Sequence, residues 1–146
     1  MKKIIFVLGI LSSVVMVNAQ AWSGSGDQKV QVGLSAWGNG TGLTGTYDYG
    51  LSDLFSVGGG ANFYFNSNSK DDKNNNFFIF GRVNAHLQNL VNLPEQWDIY
   101  PGLDVGVLGN TFGLGAHLGV RYFFTDKFGA FIEAGNNGSL GVSINL

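Results

Sequence analysis

The chain lacks cysteine and is poor in charge. None of its 146 residues is a cysteine, which excludes disulfides and thiolate chemistry. Only 12% of the residues are charged, against roughly 25% in ordinary soluble domains. The sequence also has no block of basic residues, so we expect no nucleic-acid partner. Such a chain carries too little charge to cover a surface that meets water on all sides.

The N-terminal residues have the pattern of a secretory signal peptide. Lys2 and Lys3 precede an apolar run from Ile4 to Val17, and the small residues up to Ala19 form a cleavage site. The run is shorter than the roughly 20 residues that a transmembrane helix needs. We therefore predict a signal peptide over residues 1–19 and one exported domain over residues 20–146.

The exported part alternates between apolar and other residues with a period of two, which predicts β-strands and no helix. Clusters of glycine, asparagine and serine separate the alternating runs, and two Asn-Gly pairs suit tight hairpins. Most runs reach the roughly 9 to 11 residues of a transmembrane strand. Short connections in sequence order predict an all-β fold, an eight-stranded antiparallel up-and-down transmembrane barrel. The predicted strands are Gln28–Trp37, Thr41–Gly50, Leu54–Asn66, Asn76–Leu87, Trp97–Gly109, Thr111–Phe124, Phe128–Gly135 and Ser139–Leu146.

Sorting the strand residues by parity gives one apolar face and one face that holds the charges. The apolar face has no charged residue on any strand, and tyrosine is its only polar type. The other face carries much of the glycine, and on it we count three basic residues, three acidic residues and two histidines. We predict that these eight residues form a structural polar network inside the barrel: Lys29, Asp48, Arg82, His86, Asp104, His117, Arg121 and Glu133.

Alternation alone leaves open which face points outward. In a soluble lipocalin-like barrel the apolar face lines the interior, and the few charged residues would then have to cover the outside. Aromatic residues of the apolar face gather near strand ends, for example Tyr47 and Phe124 at one end and Phe63 and Phe112 at the other. Transmembrane barrels carry two such aromatic girdles, and an arginine or lysine that faces lipid at the midplane costs about 2–4 kcal/mol. We therefore predict that the apolar face meets lipid.

Three segments carry a resemblance to a known group of proteins. They are Tyr47-Asp-Tyr-Gly-Leu, Asp98-Ile-Tyr-Pro-Gly-Leu-Asp-Val-Gly and Arg121-Tyr-Phe-Phe-Thr-Asp-Lys-Phe-Gly, together with the alternating C-terminal strand. In these segments the chain resembles the small eight-stranded outer-membrane β-barrel proteins, the OmpA/OmpX-like group, and in particular its uncharacterised outer-membrane β-barrel domains. The resemblance covers the exported part and implies a Gram-negative outer membrane and insertion by the barrel-assembly machinery. Members of the group usually end in an aromatic residue, whereas this chain ends in Leu146.

No residue pattern in the sequence is typical of a catalytic or metal site. His86 and His117 have no serine beside them at strand spacing, and no metal-ligand spacing repeats. Asp71 and Asp72, in the polar stretch Ser67–Asn76, lack the oxygen-ligand spacing of a calcium loop. We predict no catalytic residue, no metal and no cofactor, and a solvated loop over that stretch. Three serines cannot be assigned to either histidine from sequence alone: Ser56, Ser139 and Ser143.

The sequence thus predicts an outer-membrane barrel whose ion-paired lumen is too narrow for an open pore. We expect a monomer that has a structural or surface-contact role in the envelope, with outer-membrane lipid and the assembly machinery as its partners. We do not expect an enzyme. Two alternatives stay open, namely a soluble periplasmic binding barrel with an apolar ligand inside and a lipid-modifying outer-membrane enzyme.

Overall fold

The fold is a closed barrel of eight antiparallel strands. The computed structural model describes residues 19–38, 40–67 and 76–146. Each strand pairs with its neighbour in sequence, and β1 also pairs with β8, which closes the sheet. The predicted fold class is therefore confirmed. The strands are β1 (Gln28–Trp37), β2 (Gly40–Gly50), β3 (Phe55–Ser67), β4 (Phe77–Ala85), β5 (Trp97–Leu108), β6 (Thr111–Phe123), β7 (Phe128–Gly135) and β8 (Gly138–Asn145).

The observed strand bounds differ from the predicted ones mainly in β4, which ends at Ala85 and not at Leu87. The backbone N–H of His86 still donates to Leu54 across the gap, but Val91 then bonds back to Leu87 within a turn. Leu87 also donates its backbone N–H to the Ile99 carbonyl of β5 at 2.9 Å, so backbone hydrogen bonding reaches the predicted end although the regular strand ends at Ala85. Most of the predicted signal peptide, and nearly all of the predicted Ser67–Asn76 loop, lie outside the described residues.

The two ends of the barrel carry different segments. We call the terminal end the one that holds residues 19–27 and the connections 51–54, 86–96 and 124–127. The opposite end holds the connection between β3 and β4 and the short connections at 38–39, 109–110 and 136–137. Within the described residues, no helix is long and apolar enough to cross a membrane.

The outer wall of the barrel is apolar and exposed. Leu103 is 68% exposed and Leu118 is 51% exposed, although both are aliphatic residues in the body of a strand. Exposed aromatic residues lie toward both rims, which is the arrangement of the two girdles in transmembrane barrels. Those toward the terminal end are Tyr47, Tyr49, Phe55, Trp97, Phe124 and Phe128, and those toward the opposite end are Trp37, Phe63, Phe65, Phe77 and Phe112.

The interior is filled by polar, charged and aromatic side chains. All seven charged residues of the eight strands face inward, and the aliphatic residues face outward except Leu108, which packs against the buried Phe78 and Phe80. Luminal glycines supply the space for the large groups. A Cβ added at Gly119 would overlap the Tyr100 ring, and one at Gly58 would overlap Asp48 Oδ1. An alternating wall with glycine on its inner face therefore makes room for a packed polar core.

Candidate functional site

The eight residues predicted for the luminal network all lie on the inner face of the barrel. Seven of them are buried, and Asp104 keeps 18% of its side chain exposed. Cross-strand pairing brings them into rows. Lys29 lies opposite Asp48 on β1 and β2, and Arg82 lies opposite Asp104 on β4 and β5. The alternation that hides these charges from the outer face is the same one that aligns them inside.

Arg82 is the centre of the network. Its Nε donates to Asp48 Oδ1 at 2.7 Å, and its Nη2 donates to the second oxygen of the same carboxylate. Its Nη1 donates to Glu133 Oε1 at 2.9 Å. Glu133 also accepts from the Tyr100 hydroxyl at 2.8 Å and from Gln31 at 3.0 Å. One arginine thus neutralises two buried carboxylates and ties β2, β4 and β7 together across the lumen.

A second cluster lies toward the terminal end. Lys29 Nζ donates to Asp27 at 2.5 Å and to Asn145 at 2.7 Å. Arg121 Nη2 lies 3.2 Å from Asp98 Oδ2, and the guanidinium carbon stacks 3.9 Å above the Tyr100 ring. The pairing of β5 with β6 sets Asp98 directly opposite Arg121. This cluster holds two cations that are buried completely.

The two histidines lie at different depths and meet different groups. His86 Nδ1 contacts Asp98 Oδ2 at 2.7 Å, and its Nε2 contacts Ser56 Oγ at 2.8 Å. His117 Nδ1 contacts Asp104 Oδ2 at 2.8 Å, and its Nε2 contacts Asn84 Oδ1 at 2.9 Å. Each imidazole is therefore fixed by a carboxylate on one side and by a polar side chain on the other.

Residues before β1 close the terminal end of the lumen. Trp22 is 2% exposed, and its indole ring stacks on His86 with 3.5 Å between ring centroids and 5° between the planes. Trp22 Nε1 donates to the Asp53 carbonyl at 2.8 Å, and the Ala21 amide donates to the Glu95 carbonyl at 2.7 Å. Ser23 donates twice to Asp27. This segment, Gln20–Asp27, covers the lumen at the terminal end, and we call it the N-terminal cover.

Cavities lie at both ends of the described part of the barrel. One of about 240 Å³ lies at the terminal end, beside Gln20, Ser23 and Asp27. The other, of about 230 Å³, lies at the opposite end between β5, β6 and the β7–β8 turn, with Asp104 at its polar side and Phe78, Leu108 and Phe112 among its apolar walls. A smaller space of about 30 Å³, room for roughly one water molecule, continues inward beside His117 and Glu133. Among the described residues, the histidines and carboxylates form no group of three or more that could hold a metal ion.

Several buried polar atoms have no hydrogen-bond partner within the described part of the chain. They include all three guanidinium nitrogens of Arg121, together with Asp98 Oδ1 and Asp104 Oδ1. Buried polar groups are nearly always hydrogen-bonded in native proteins, so each exception requires an explanation. The Arg121 nitrogens are the most notable case, because a completely buried cation keeps its ion pair with Asp98 while its N–H groups stay available.

Sequence analysis missed several residues of this interior. Asp27 and Asp98 are buried acids in addition to the three that were counted, so the expected balance of three bases and three acids is wrong. Asp98 and Tyr100 have the same parity on β5 as Asp104, and that signal could have found them. Trp22 precedes the first strand, where no alternation exists to place it. Ser56 lies on the inner face by parity, but its contact with His86 depends on strand register.

The geometry defines the class of this protein, which is an eight-stranded barrel of the transmembrane type. A solved structure from work described as "De novo design of transmembrane beta-barrels" has the same fold, with a TM-score of 0.68 at 16% sequence identity. The superposition covers 86% of this chain and 99% of the designed one. At that identity the likeness concerns the fold alone.

The sequence model of a family of unknown function, DUF6646, matches residues 12–139. The chain therefore belongs to this family. No curated protein matches the sequence.

Proposed function

We propose that this protein is an outer-membrane β-barrel whose packed, ion-paired lumen stabilises a closed structure, with a structural or surface-contact role in the envelope of a Gram-negative cell. The single observation that supports this proposal best is the distribution of charge. All seven charged strand residues face the lumen, while exposed aliphatic and aromatic residues form the outer wall. Water would not favour such a surface, whereas the hydrocarbon core of a membrane requires it.

The nature of the interior supports the membrane proposal over a periplasmic binding barrel. A lipocalin-like carrier needs an apolar lining for an apolar ligand. Here Arg82, Asp48 and Glu133 occupy the middle of the lumen, and Lys29 and Arg121 occupy the terminal end. The same side chains fill the path that a solute would take, so we propose that the barrel does not conduct. The OmpA/OmpX-like affiliation, a cleaved signal peptide, and a monomeric form inserted by the assembly machinery belong to this proposal.

Fractionation of cells that express the full chain tests the location. We expect the protein in the membrane fraction, resistant to carbonate extraction, with a gel mobility that changes only after boiling. Recovery as a soluble periplasmic protein would contradict the proposal.

Two neighbouring substitutions on β6 test the orientation of the wall. Leu118→Arg places a charge on the outer face, where it costs about 2–4 kcal/mol at the bilayer midplane, so we expect loss of the boil-dependent shift. His117→Ala is the matched control on the inner face and should keep the shift. Normal insertion of Leu118→Arg would reverse the assignment of the two faces.

A further inference from the structure

Ser56, His86 and Asp98 form a hydrogen-bonded chain at the terminal end of the lumen. Ser56 Oγ lies 2.8 Å from His86 Nε2, and His86 Nδ1 lies 2.7 Å from Asp98 Oδ2. Ser56 lies on β3, His86 directly follows β4, and Asp98 lies on β5. These three strands are consecutive in the barrel. Each of them is at most 1% exposed. A hydroxyl, an imidazole and a carboxylate thus stand in the order that activates a serine nucleophile.

The surroundings of the three residues add hydrogen-bond donors. Asn84 Nδ2 donates to Ser56 Oγ at 3.3 Å, and the same hydroxyl oxygen lies 2.8 Å from His86 Nε2. Arg121 contacts Asp98 at 3.2 Å, and its guanidinium nitrogens have no hydrogen-bond partner among the described residues although the side chain is completely buried. Asn84 thus contacts the serine end of the hydrogen-bonded chain, and Arg121 contacts its carboxylate end.

The second histidine of the lumen provides an internal comparison. His117 also contacts a carboxylate through Nδ1, but its Nε2 meets the amide oxygen of Asn84, a group with no proton to give. Both histidines are therefore held in the same manner, and only His86 is joined to a hydroxyl.

We propose that Ser56 and His86 are the catalytic residues, and Asp98 the positioning residue, of a latent acyl-transfer site for carboxylic esters. This inference goes beyond the proposed function and depends on the barrel interior, not on the membrane location. Ser56 Oγ adds to the ester carbonyl carbon while its proton passes to His86 Nε2. The carbon–oxygen bond to the alcohol breaks, and the alcohol leaves with that proton. Water then releases the acid from Ser56 by the same steps and restores the hydroxyl.

The N-terminal cover explains why the site is latent. The Trp22 ring lies flat on His86, and Ser56 has no exposed surface. The cover lies outside the strands. Trp22 and Ala21 each donate one hydrogen bond to a connection at this end. The part of the cover next to β1 is held more firmly, by two backbone hydrogen bonds to Gly50 and by the ion pair of Asp27 with Lys29. Displacing this segment exposes His86 and the serine beyond it without breaking a strand pair. The protein can therefore contain a catalytic arrangement and still be inactive while the cover is in place.

Labelling with a fluorescent fluorophosphonate tests the proposal, because this probe forms a bond with the oxygen of an activated serine and releases fluoride. In detergent-folded full-length protein, we expect Trp22→Ala to react about 10²-fold faster than wild type, since the loss of a buried tryptophan raises the open population of the cover. Adding Ser56→Ala should abolish labelling, and adding His86→Gln should slow it by about 10²-fold or more. Ser143 is the matched control, a buried serine whose Oγ has no hydrogen-bond partner among the described residues. Trp22→Ala with Ser143→Ala should label like Trp22→Ala alone.

A folded Trp22→Ala that labels no faster than its Ser56→Ala double variant would overturn the proposal, and so would a label on another serine. If Trp22→Ala lacks the boil-dependent shift, Ala21→Arg replaces it, because Ala21 is completely buried in the cover and an arginine must displace it. Should neither variant fold, the extent of prolonged labelling is compared between the wild type and the Ser56→Ala variant. Equal labelling of those two proteins also overturns the proposal.

Discussion

The two ends of the lumen are built by the same eight strands, but among the described residues their luminal side chains are enclosed to different degrees. At the terminal end, Trp22 and Ala21 of the N-terminal cover are buried against His86 and the 86–96 connection. At the opposite end, a cavity of about 230 Å³ reaches Asp104. Strand pairing fixes the wall of a barrel, whereas the segments outside the strands decide whether each mouth is covered. We therefore expect substitutions in the interior to destabilise the protein more at the terminal end than at the opposite end.

Trp22→Ala is the substitution that should reduce this difference most. It removes a large buried side chain and its hydrogen bond to Asp53, so we expect a loss of about 3–5 kcal/mol in the free energy of unfolding. Urea unfolding in detergent, followed by the boil-dependent gel shift, measures the loss. Trp97→Ala is the control, since Trp97 is 40% exposed on the outer wall of the same end. Equal losses for the two variants would show that the cover contributes nothing special.

Replacing one luminal aspartate at each end by asparagine compares the two ends with the same chemical change. Asp98→Asn leaves the buried Arg121 with only the more distant Asp48 carboxylate, at 3.9 Å, so we expect a loss of about 3 kcal/mol. Asp104→Asn acts on a carboxylate that is partly exposed at the opposite end, and we expect about 1 kcal/mol or less. The same unfolding measurement applies. A larger loss for Asp104→Asn would invert the comparison of the two ends.

Two glycines on the inner face of β6 give the smallest and sharpest test. A Cβ at Gly119 would overlap the Tyr100 ring, whereas a Cβ at Gly113 would have no atom of the described residues within 4 Å. We expect Gly119→Ala to cost about 1–3 kcal/mol through overpacking. Gly113→Ala should change stability by no more than about 0.5 kcal/mol. Comparable effects at both positions would mean that the opposite end is packed as tightly as the terminal end.

The wall of the barrel could be predicted from the sequence because alternation is a local property. Parity alone assigned Val105 and Leu118 to the outer face and Arg82 and Glu133 to the inner face, and the structure has them there. The strand ends were less certain, because the regular strand β4 ends at Ala85 although Leu87 still donates a backbone hydrogen bond to Ile99. Turn residues such as Asn137-Gly138 marked the hairpins correctly.

The contacts inside the lumen could not be predicted in the same way. Parity places Ser56, Asp98 and Tyr100 on the inner face, but not which of them touch. The bond between Ser56 and His86 joins residues 30 positions apart and depends on the register of β3 with β4. Trp22 lies in a segment with no periodic pattern, so only its packing against His86 gives it a place.

The sequence by itself determined a charge-poor, alternating chain of eight strands with every strand charge on one face, because side-chain direction in a strand follows position along the chain. Only the tertiary structure decided which charges pair, which histidine meets a serine, and that the N-terminal cover lies on the terminal end of the lumen. Those choices depend on closure and register, which bring together residues that are distant in sequence, and on a segment that has no pattern of its own.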